Sequence, residues 1–127
     1  MKKNIEVPTG SAIDLNILID LSDDIQCILN TGGYFEKVNH PLIKESRLTE
    51  KELIGSSFLN ILHSEDRAIA DKEILNMSNG LVVQFEARCQ YSLSKTFLWK
   101  AKNLDGHIYI SANYINKQSI EPGELNQ

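Results

Sequence analysis

From Leu81 onward the hydrophobic pattern of this chain changes from a helical period to a period of two, the signature of antiparallel strands with one face on a core and the other toward water. Val83, Phe85, Ala87, Cys89 and Tyr91 alternate with Gln84, Glu86, Arg88 and Gln90. A second strand is expected over about Thr96–Asn103 and a third over about His107–Ile115, with Asp105-Gly106 as the turn between them. Three such strands expose an apolar face that another layer must cover.

The preceding residues supply that layer. Residues 1–10 form a polar lead-in with Pro8 and Gly10, after which Ser11 can cap a short helix bearing Ala12, Ile13, Leu15, Ile17, Leu18 and Ile19. Two strand runs follow, Ile25–Leu29 and Tyr34–Val38, joined by Asn30-Thr31-Gly32-Gly33 as a tight hairpin. The pattern is then helical through Asn39–Leu62. Thr49-Glu50-Lys51-Glu52 reads as a capping box, and Gly55 as the stop of that short helix. His63-Ser64-Glu65-Asp66-Arg67 opens a further helix to about Met77, with Ser64 as the expected cap, and Asn79-Gly80 ends it. The fold class is therefore α+β, with one antiparallel sheet.

A chain of 127 residues fits one domain with a real core. Its net charge of -4, with thirteen scattered basic residues, argues against a nucleic-acid binder. No apolar run approaches the roughly 18 residues of a membrane-spanning helix, and Lys2-Lys3 is not followed by the apolar stretch of a signal peptide. Cys27 and Cys89 lie inside strand-like runs and read as small core residues. A cytoplasmic location is expected.

Over about residues 20–116 the order of elements and several motifs resemble the PAS family. "DIQCILNTGGYFEKVN" is similar to its opening hairpin, "LTEKELIG" to its short helix, and "SFLNILHSEDR" to its His-Pro-Glu-Asp-Arg corner, with Ser64 where proline is common. "FEARCQYS", "FLWKA" and "DGHIYISANYI" resemble its last three strands. The resemblance implies a five-stranded antiparallel sheet with short helices on one face and the N-terminal helix on the other. It implies domain bounds of 11–116, with 117–127 as a tail or linker. It further implies a sensory module that binds a small ligand or a partner, dimerises, and serves an output domain of the same parent protein, such as a histidine kinase or diguanylate cyclase. Ile13, Leu15, Ile17 and Leu18 are the expected dimer surface.

Specific chemistry is sparse. His63 and Asp66 could form an acid–base pair, or could simply cap and orient a helix corner. Haem-binding relatives often carry their axial histidine on the helix that here spans Asp66–Met77, which has none. Flavin-binding photoreceptors carry their reactive cysteine in an Asn-Cys-Arg-Phe-Leu helix, whereas Cys89 lies on a strand. Neither cofactor is supported, no metal-ligand spacing occurs, and the ligand is unknown. Phe58, Phe85, Trp99, Tyr109, Ser111 and Asn113 are the expected pocket lining, with a fully filled core as the alternative. The family's terminal Asp-Ile-Thr is replaced by Tyr114-Ile115-Asn116, and Pro122-Gly123 would break a continuing helix. Three readings follow: a sensory PAS domain, a ligand-free docking or dimerisation module, and a small enzyme built on His63 and Asp66.

Overall fold

A computed structural model describes residues 15–75 and 77–115. Helix α1 (Leu15–Leu21) leads into a hairpin of β1 (Ile25–Asn30) and β2 (Phe35–Val38). Helices α2 (His40–Ser46) and α3 (Glu50–Leu53) follow, then 3-10 turns at Phe58–Ile61 and Ser64–Asp66, and helix α4 (Arg67–Leu75). Strands β3 (Val82–Cys89), β4 (Ser92–Leu104) and β5 (His107–Ile115) follow as the last of the described elements. All pairings are antiparallel, in the order β2-β1-β5-β4-β3. The two ends of the domain thus meet at its centre, where Cys27 lies opposite Ile110.

The sheet register decides which residues form the core. Ile25, Cys27 and Leu29 lie opposite Ala112, Ile110 and Ile108, and across β5 these face Trp99, Ala101 and Asn103. Phe85 opposite Trp99 and Ala87 opposite Phe97 extend the same face. Onto it pack Leu42 of α2, Leu53 of α3, Phe58 and Ile61 of the first 3-10 turn, and Ala70 and Ile74 of α4. Each large apolar side chain fully buried here contributes about 1.5–3 kcal/mol. The helical pattern over Asn39–Leu62 resolves into α2, α3 and a 3-10 turn, because each segment has its own cap.

Those caps are local chemistry. Thr49 Oγ1 accepts from the Glu52 amide at 3.1 Å, while Glu52 Oε1 accepts from the Thr49 amide at 2.9 Å, the expected capping box. At the next corner the expected cap is corrected. His63, not Ser64, occupies that position, and its Nδ1 accepts from the Glu65 amide at 3.0 Å. Ser64 has already entered the 3-10 turn, so its hydroxyl is past the point where it could close the helix start. Tyr91 also departs from the strand alternation. The β3–β4 register shifts between Arg88 and Cys89, and Tyr91 falls in the turn, half exposed.

Asn39 is the hub of the opening half. Its side chain, 1% exposed, accepts from the amides of Gln26 (3.1 Å) and Leu42 (3.3 Å). It also donates to the carbonyls of Ile19 (3.1 Å) and Asp24 (2.9 Å). One amide thereby ties α1, β1 and α2 together. The only sequence signal was its place before His40-Pro41, where a short polar residue caps a helix that starts with proline.

Candidate functional site

The expected pocket residues divide between two faces of the sheet. Phe58, Phe85 and Trp99 come together inside. Phe58 meets the Trp99 ring edge-on at 5.3 Å between centroids, and Phe85 stacks on it at 6.4 Å. Phe35 and Phe97 extend the cluster at 6.1 Å from Phe58 and Trp99 respectively. Trp99 is wholly buried and its Nε1 donates to the Ala87 carbonyl at 3.1 Å. The indole is thus satisfied by the protein itself, as a buried polar group must be. A cavity of about 30 Å³ beside Phe58, lined also by Ser57 and Ile74, has room for water and not for a metabolite.

Tyr109, Ser111 and Asn113 lie on the other face. Tyr109 sits between Ile28 and Lys102, and Ser111 between Gln26 and Lys100. A single pocket lined by all six residues is therefore ruled out, since side chains one residue apart in register project from opposite faces. The two-residue Asp105-Gly106 turn carried the missing signal. It sets Leu104 opposite His107, and counting pairs away from it brings Trp99 opposite Ala112 rather than Asn113.

Among the described residues, concavities open on the outer sheet face and beside α2. The outer sheet face holds a groove of about 280 Å³ between α1 and strands β1, β5, β4 and β3. Its walls include Ile19, Val82 and Tyr109, with Gln26, Ser111, Lys100 and Lys102 around them. A cleft of about 360 Å³ lies between the start of β1, α2 and the end of β5, with Asp23, Asp24, His40, Lys44 and Asn113 among its lining. Beside it Lys95 pairs with Glu45 at 3.1 Å and sits 5.9 Å from the Tyr114 ring centroid.

The His63–Asp66 corner is built for structure. Asp66 Oδ2 accepts from the Arg88 amide at 2.7 Å and from its Nε at 3.0 Å, and Oδ1 accepts from Nη2 at 2.9 Å. Arg88 hydrogen bonding holds the Asp66 carboxyl below its ordinary range, against the opposing effect of burial. A carboxylate so held is a poor base, and the His63 lone pair at Nδ1 is occupied by the Glu65 amide. The remaining histidines do not face the interior ring cluster. His40 opens α2 on the surface and His107 bonds Glu36 at 2.7 Å. Burial pushes the Cys89 thiol up to about 12, and Cys27 also upward, so both stay protonated and inert as nucleophiles. Among the described residues no group of three or more His, Cys, Asp or Glu side chains could hold a metal ion.

On α1, Ile19 is the anchor, 5% exposed, while Ile17 and Leu18 are 57% and 61% exposed and Leu21 is 74% exposed. Of the expected dimer surface, Ile13 and the Leu15 side chain lie outside what the structure describes.

No family model matches this chain, and no curated protein does. Solved structures match closely in shape. The PAS domain of an HTR-like protein from Haloarcula marismortui superposes with a TM-score of 0.64 at 20% identity, covering 80% of this chain and 88% of that one. The PAS domain of the Cronobacter turicensis RpfR quorum-sensing receptor, in complex with BDSF, gives 0.64 at 18% identity, covering 74% and 95%. A domain of a sensory box sensor histidine kinase/response regulator from Geobacter sulfurreducens gives 0.64 at 20%, covering 76% and 88%. With its five-stranded antiparallel sheet, short helices on the inner face and α1 on the outer, this chain has the PAS fold.

Proposed function

We propose that this chain is a regulatory PAS domain of a signal-transduction protein, of the sensor histidine kinase kind, and that it works by association rather than by turnover. The observation that carries this reading is α1. Ile19 fixes the helix to the sheet while Ile17, Leu18 and Leu21 stand in solvent along one short helix, an apolar ridge with no cover among the described residues. The ring cluster around Trp99 supports the same reading, because it fills the space in which an internal ligand would sit. The RpfR domain shows that the fold can accompany a bound small molecule. Here the interior favours packing, so a small ligand, where one acts, takes a surface concavity instead.

In this reading residues 11–116 are the module, a second copy is the partner, and residues 117–127 lead toward an output domain. The two free, buried thiols fit the reducing cytoplasm. Native mass spectrometry across a concentration series tests the proposal. A dimer that Leu18→Glu converts to monomer, with the unfolding midpoint unchanged at concentrations where the unaltered protein is itself monomeric, supports it. A monomer at every concentration, or a dimer indifferent to substitutions at Ile17, Leu18 and Leu21, rejects it.

A further inference from the structure

The outer groove combines two features that no single polar or apolar ligand would use. Its walls are largely hydrocarbon and aromatic: Ile19 from α1, Val82 from β3 and the Tyr109 ring from β5. Two ammonium groups border it, Lys100 and Lys102, which are alternate residues of β4 and so share the outer face. Their cross-strand neighbours on that face are Gln84 and Ser111 for Lys100, and Val82 and Tyr109 for Lys102, none of them acidic. Lys37 and Lys95, by contrast, each hold a carboxylate. In a chain of net charge -4, a groove that among the described residues is bordered by two lysines outside any ion pair and by no carboxylate is complementary to an anion.

We infer that this groove binds a small amphiphilic carboxylate, its hydrocarbon body on Ile19, Val82 and Tyr109 and its carboxylate shared by Lys100 and Lys102. A bare inorganic anion would leave the apolar walls wet, and an uncharged hydrocarbon would leave the lysines unused. A molecule carrying both parts uses the whole site. Alternate strand residues lie about 7 Å apart along the strand, within the span of two lysine side chains converging on one carboxylate. The Ser111 hydroxyl lies beside Lys100 and can donate a further hydrogen bond. The ligand is a free monomer and not a lipid surface, because a concave groove about 280 Å³ in volume fits one small molecule and, among the described residues, two cations border it rather than a basic cluster. This inference stands independently of the association reading.

The test is a titration of the full chain with monomeric decanoate, followed by backbone amide NMR, alongside decanol and phosphatidylglycerol vesicles. Saturable shifts centred on Lys100, Lys102, Tyr109 and Ser111 are expected with decanoate. The exposed pair Lys100→Gln and Lys102→Gln should weaken binding about tenfold while leaving the unfolding midpoint in place. A Lys100→Arg, Lys102→Arg protein should retain it. Equal affinity for decanol, undiminished binding by the glutamine variant, shifts centred on Trp99 and Phe58, binding to vesicles only, or no saturation would each overturn the inference.

Discussion

Asp66 and Arg88 are joined by three hydrogen bonds, one to the Arg88 main chain at 2.7 Å and two to its guanidinium. The aspartate therefore replaces a strand partner for the edge strand β3, just where the corner after Leu62 docks through His63 N to Arg88 O at 2.9 Å.

Removing that carboxylate leaves the Arg88 amide without its acceptor. Asp66→Ala should cost about 2–3 kcal/mol, read from urea unfolding at neutral pH. The pH dependence has a definite sign. The folded-state pKa of Asp66 lies below its unfolded value, so its stabilisation is present above the ordinary carboxylate range and is lost as pH falls through the folded value. The wild-type midpoint should fall on acidification through about pH 4 and below more steeply than that of Asp66→Asn. Parallel curves for the two proteins would contradict this account.

That corner also shows what a sequence discloses. The His-Ser-Glu-Asp-Arg run marked a helix start, and acidic residues at its head agree with the dipole. Arg88 lies 22 positions away, on a strand whose edge status follows only from strand order, so the pairing was not legible. The strands themselves were legible because burial imposes a period of two on Val83 through Cys89 and on His107 through Ala112. Grouping Tyr109 with Trp99 failed for a different reason. Alternation tells which residues share a face within a strand, while the face shared between strands depends on register. Asn39 was illegible in another way: its four bonds reach residues up to 20 positions distant, and a lone asparagine carries no mark of that.

Asn39→Ala removes acceptors from the Gln26 and Leu42 amides and donors from two carbonyls at once. A loss of at least about 3 kcal/mol is expected, with hydrogen exchange at Gln26 and along α1 rising more than that of β4. Uniform loss of protection across all five strands would show that Asn39 does not act locally.

Trp99 is the single tryptophan, so its fluorescence reports the ring cluster directly. Its emission should be that of a buried indole and should shift to longer wavelength on unfolding in step with circular dichroism. Phe58→Ala, which deletes the ring meeting Trp99 edge-on, should cost about 3–5 kcal/mol. A cost under about 1 kcal/mol would mean that the interior is looser than its packing implies, and that a ligand could enter there.

The α1 ridge separates folding from association. Ile17, Leu18 and Leu21 are more than half exposed, so replacing them with polar residues removes little that the fold of one copy uses. Stability of the monomer should change by no more than about 0.5 kcal/mol for each substitution. If the ridge is buried between two copies, each side chain withdrawn from water adds to association at about 25 cal/mol per Å², and even one charge at Leu18 should raise the dimer dissociation constant by about tenfold or more. Ile19→Ser is the contrasting case. It breaks the anchor beneath the ridge, so both stability and association should fall, and it should do so without altering the Thr49–Glu52 cap on the far side of the sheet. A Leu18→Glu protein that loses stability as much as Ile19→Ser would place Leu18 in the core of its own chain, and the association surface would have to be sought elsewhere.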